Sequence, residues 1–224
     1  MISYHIRDYI SLLTLQNAFN SRDFCLSDEY LNKNTPLFPT EEYLYIQPLL
    51  KKGLIVYKNA IGFDIFKPLE KESLRNTQFS ILRHIEEEKF NQSEIIGLRN
   101  EINAMECCNL MNRCIGKLRN TDNFSLSSKN QLFIQDSLNV LTVNQVVHVI
   151  QAVFNSSQHL IKTGEFCQKT AASQYIHLFQ TRLRQVLEGK QRAIEEKETP
   201  NNYVQSQYSY IFFLNFFKEL RNSI

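Results

Sequence analysis

The chain has 224 residues, 43% of them hydrophobic, and a formal net charge of +2, which excludes a disordered composition and gives no bulk attraction to a polyanion. Only six glycines and five prolines occur, too few for the many turns of a sandwich or barrel, so long helices with few connections are expected. Five cysteines with no secretory leader pattern, and no run of about 18 apolar residues, predict a cytoplasmic protein without membrane contact.

Taken in chain order, residues 4–19 place Ile6, Tyr9, Ile10, Leu13 and Ala18 near helical spacing and predict a first helix. A second is expected from Ser27, whose hydroxyl can cap it, with Asp28 and Glu29 suiting the first turn. Thr40 is expected to cap a third helix that begins with Glu41 and Glu42, meets a kink or restart at Pro48, and stops before Gly53. "LIVY" and "IGFDIF", joined by a turn at "KNA", predict a short β-hairpin.

From residue 70 onward the pattern reads as helix nearly throughout. Leu74, Phe79, Leu82 and Ile85 fall on one side of a first segment, and Leu98, Ile102, Met105, Cys108, Met111, Ile115 and Leu118 recur at steps of three and four in a second. "RNTDNFSLSSKN" reads as a polar linker, after which "TVNQVVHVIQAVFNSSQHLI" and "AASQYIHLFQTRLRQVL" each pair an apolar stripe with a Gln/Asn/Ser face. The last segment, "YVQSQYSYIFFLNFFKEL", is apolar nearly all round and must dock on something.

Element order over residues 5–67 resembles a winged helix-turn-helix domain, with "LLKKGLI" at the helix-to-wing junction. The expected fold is therefore mainly α: a winged-helix-like unit over residues 1–69 with one β-hairpin, a helical bundle over 70–198, and an aromatic helix over 199–224 that docks on the bundle or on a partner. A winged helix followed by a helical domain is similar in layout to primosomal replication-initiation proteins of low-GC bacteria and their phages. That resemblance implies a non-enzymatic protein acting at DNA in replication, partition or transcription.

The candidate nucleic-acid residues are Lys51, Lys52 and Lys58 near the wing, and Arg182, Arg184, Lys190 and Arg192 beside Gln180, Gln185 and Gln191. Against them, Glu41 and Glu42 open the helix that would enter a groove, and residues 1–68 hold seven basic and seven acidic side chains. The alternative is a protein-interaction module, an adaptor or inhibitor, that binds a partner or a second copy through Tyr208, Ile211, Phe212 and Phe216. No metal or cofactor is expected. Cys107, Cys108 and Cys114 lack C-x-x-C spacing and suit a core, while His148 and His159, eleven apart on one helix, stand about 16 Å apart. Asp64 with Glu86, Glu87, Glu88 and Lys89 faintly echoes a metal-dependent nuclease, but three carboxylates in a row fan around a helix. Without phosphate-cradling glycine motifs or a nucleophile elbow, neither an enzyme nor a small-molecule substrate is expected.

Overall fold

The computed structural model describes residues 5–27, 35–58, 77–82, 89–121, 124–191 and 204–217. They form seven α-helices, one short 3-10 helix and one three-stranded antiparallel sheet, so the chain is mainly α with a small β component. Two compact units divide it, residues 1–99 with 204–223, and residues 100–203. The boundary between Arg99 and Asn100 falls inside a helix, and residues 204–223 group with the first unit.

The first unit begins with α1 (Ile6–Phe19), which buries Ile6, Tyr9, Ile10, Leu12 and Leu15. Asn20 ends it in the left-handed region, at φ 47°, where a short amide side chain is tolerated. Strand β1 (Asp23–Cys25) follows. The second expected helix falls on residues 28–34, outside the described residues.

Helix α2 (Tyr43–Lys51) runs through Pro48 without breaking. Thr40 does not cap it; its hydroxyl lies 3.3 Å from the Tyr45 phenol. The helix ends as the sequence predicts. Gly53, at φ 62°, donates its N–H to the Leu50 carbonyl and Leu54 donates to Leu49, a Schellman closure that turns the chain into β2 (Ile55–Tyr57).

Strand β2 pairs with β3 (Gln78–Ile81), which lies between β1 and β2. The hairpin partner expected at 61–66 lies outside the described residues. The helix expected across residue 79 is corrected: Phe79 and Ile81 are buried while Gln78 is exposed, the period-two pattern of a half-buried strand. Phe79 is the keystone of the sheet, its ring 5.2 Å from Phe24 on β1 and 5.2 Å from Tyr57 on β2, the cross-strand contact that fixes register.

Helix α7 (Gln207–Phe216) completes this unit by packing on α1. Ser206 caps it by accepting from the Ser209 N–H. The Gln207 and Tyr208 amides donate to the carbonyls of Pro36 and Leu37, so two otherwise orphaned helix-start donors are satisfied by a distant loop. Tyr208 joins Phe38 and Tyr45 in a three-ring cluster, with centroids 4.3 to 5.8 Å apart.

Helix α3 (Gln92–Arg119) carries residues of both units. The second unit adds α4 (Ser128–Ser137), α5 (Val143–Lys162), the 3-10 helix Gln168–Thr170 and α6 (Ala171–Leu187). Helix α4 begins within the segment read as a polar linker. Its core gathers Met111, Cys114 and Ile115 of α3, Ile134 of α4, Val146, Ile150 and Val153 of α5, and Tyr175, Phe179 and Leu183 of α6. Thr142 and Gln145 close a reciprocal capping box on α5. Tyr175, wholly buried, donates its hydroxyl to the Ile150 carbonyl at 2.9 Å, so the one polar atom of a large core ring is paired.

Candidate functional site

The three lysines proposed for the wing stand at the C-terminal end of α2 and at the end of β2. Lys51 is exposed in the last turn of α2 and makes no ion pair among the described residues. Lys52 donates to the Asp8 carboxylate of α1. Asp8 is nearly buried, with 7% of its side chain exposed against 51% for Lys52. This pair is a tie between α1 and α2, because a carboxylate taken out of water needs its counter-charge.

Lys58 donates to one oxygen of Asp23, whose other oxygen accepts from the Ser80 hydroxyl at 2.5 Å. Asp23 and Ser80 are register partners on β1 and β3, and the Lys58 amide donates to the Gln78 carbonyl at 2.9 Å, so all three groups are held on one small sheet. The Lys58 ammonium, then the Ser80 hydroxyl, hold the Asp23 carboxyl below its ordinary range. Sequence reasoning missed Asp8, Asp23 and Ser80. Nothing in the sequence pointed to Ser80, and for Asp8 and Asp23 the one signal was the even balance of charges over residues 1–68.

The start of α2 is unfavourable for phosphate. Glu41 precedes it and accepts from the Tyr43 phenol, pushing that group's titration up, and Tyr45 is stacked on Phe38. Leu44 stands 51% exposed on the outer face of the helix. An acidic start and an outward leucine give this helix few means of reading base edges.

In the second unit, Arg182, Arg184 and Lys190 do not form one basic face. Arg182 and Arg184, two residues apart, project about 200° apart around α6, and Arg182 is half-buried. Arg184 lies over the Phe133 ring at 5.9 Å. Lys190 is paired with Glu188 at 2.6 Å, which raises the lysine's titration and lowers the glutamate's. Gln180 donates to Asn130 at 2.9 Å, and Arg192 lies outside the described residues.

The residues expected to bind a partner are largely core. Tyr208, Ile211 and Phe212, expected to meet a partner, are buried within the first unit, exposed by only 1%, 4% and 0%. Phe216 is half-buried and touches Phe90 and Phe212 at 5.9 and 5.5 Å. An all-round apolar helix is explained by burial on several sides.

Cys107, Cys108 and Cys114 lie in the core of the second unit, and burial pushes the Cys108 thiol up to about 11 and the Cys114 thiol up to about 12. All five cysteines are thiols. Among the described residues no group of three or more His, Cys, Asp or Glu side chains converges, and no helix is long and apolar enough to cross a membrane. Compared with protein-family models, curated proteins and solved structures, the chain matches none of them.

Proposed function

We propose that this chain is a non-enzymatic, DNA-associated protein of winged-helix type, an accessory factor of replication, partition or transcription. One observation carries the reading: the order α1–β1–α2–β2–β3 with β3 between β1 and β2, and α2 delivered into the ribbon by Gly53. In such a layout the ribbon and the helix before it lie against the duplex. The contacts would be to phosphate rather than to bases, made by Lys51 and Lys58, since Glu41 and Glu42 stand just ahead of α2 and Leu44 is exposed on it. Lys52 serves α1 and α2 instead. The test is a salt titration with short duplex and single-stranded DNA. Binding at low salt should weaken steeply as salt rises, and Lys51→Ala should lower the slope by about one contact's share, 0.9 for duplex. No binding of either DNA at low salt refutes the proposal.

A second reading, a winged helix that contacts protein, is favoured by the exposed Leu44 and by the neutralisation of two of the three lysines. It differs in its expected outcome. Leu44→Glu would abolish partner binding there, whereas backbone contact by the lysines would barely sense that change except through its charge.

A further inference from the structure

The two ion pairs of the lysine cluster are built differently. Asp8 is nearly buried, so Lys52 cannot leave it without stranding a carboxylate. Asp23 and Lys58 are 49% and 47% exposed, and either could exchange its partner for another ion of the same sign at small cost. Around Asp23, two donors, the Lys58 ammonium and the Ser80 hydroxyl, converge on a single anion, one on each of its oxygens. That is also the donor set a phosphodiester would require. The Lys58 backbone is fixed to Gln78, leaving its side chain alone to move.

We infer that Lys58 and Ser80 form a phosphate-accepting pair on the ribbon, and that Asp23 occupies it as an internal competitor for the nucleic-acid backbone. The inference rests on the DNA reading above. Asp23 thereby sets affinity: the free protein presents this contact closed, and DNA must displace a carboxylate to gain the lysine. Lys58 then adds little to encounter at long range, because the pair is close to neutral, and contributes only when a phosphate arrives.

Asp23→Asn tests this, since the amide oxygen can still accept from Ser80 while the charge is gone. Fluorescence anisotropy on a labelled short duplex is expected to show tighter binding, by up to about 15-fold at about 50 mM salt and about fivefold at about 150 mM, with a slope steeper by about 0.9, the release of one further counterion. Asp23→Asn combined with Lys58→Ala should lose that gain. Asp23→Ser gives an independent second route to the same comparison, and a native circular-dichroism spectrum is required of each variant. If wild-type protein binds DNA and folded Asp23 variants match it in affinity and slope, or if the gain survives loss of Lys58, the inference fails while the DNA reading stands. If no folded variant binds any DNA at low salt, the DNA reading fails and takes the inference with it.

Discussion

Truncating Phe212 to alanine measures how firmly α7 belongs to the first unit. The ring is 0% exposed and lies 5.2 to 5.7 Å from the rings of Phe213, Phe216 and Phe217, on a helix packed against α1. Removing a buried phenyl forfeits roughly 1.5–3 kcal/mol of transfer free energy, and a residual cavity approaching ~100 Å³ adds about 2 kcal/mol, so a loss of about 4 kcal/mol is expected. At 1.4 kcal/mol per decade, that raises the unfolding equilibrium of this unit about a thousandfold, most of the margin of an ordinary domain. Hydrogen exchange of the α1 amides Ile10 to Leu15 reads this directly, because they should exchange in step with loss of α7. Tyr210→Ala, at a side chain 42% exposed on the same helix, is the control and should cost less than about 1 kcal/mol. A Phe212→Ala protein destabilised by less than about 1 kcal/mol, with unchanged α1 exchange, would show that the helix is not an integral part of this core.

One further outcome concerns the first unit and one the second. Lys52→Met should cost about 1–2 kcal/mol in urea unfolding, less than a fully buried pair because the lysine is half exposed; adding Asp8→Asn should recover part of it, and a neutral single variant would refute the tie between α1 and α2. A thiol reagent at about pH 8 should modify exposed Cys167 first and half-buried Cys25 more slowly. Cys107, Cys108 and Cys114 should react only after denaturation, since burial raises all three thiols, so rapid native labelling at any of them would contradict the core of the second unit.

Local chemistry was legible in the residues, and its destinations were not. Gly53 marks the end of α2 because only a residue without a side chain sits easily at its positive φ, and the β-branched run after it makes a strand. The stripes of α3, α5 and α6 followed from spacing alone. Phe79 misled because an apolar residue three before Leu82 and two before Ile81 satisfies both periods, and pairing with β1, more than fifty residues earlier, settled the matter. The candidate site suffered more. A lysine's sequence neighbours say nothing of the carboxylate it meets across the fold, and the partners of Lys52 and Lys58 lie 44 and 35 positions away. For the aromatic C-terminal helix, composition showed that it must be covered; only tertiary structure showed that the cover was α1 and the loop at Pro36 and Leu37.

The return of residues 204–217 to the N-terminal unit fixes an order of events on the ribosome. A domain encoded first would ordinarily fold first, but here α1 waits for its last neighbour until the whole of residues 100–203 has been translated. At about 5–20 residues per second that is a delay of roughly 5–20 seconds, during which the later-encoded half can mature while the earlier one keeps an apolar helix flank uncovered. Nascent-chain protection by a holdase, and loss of α1 protection when translation stops before residue 204, are the expected marks of a unit whose early helix is covered by a late one.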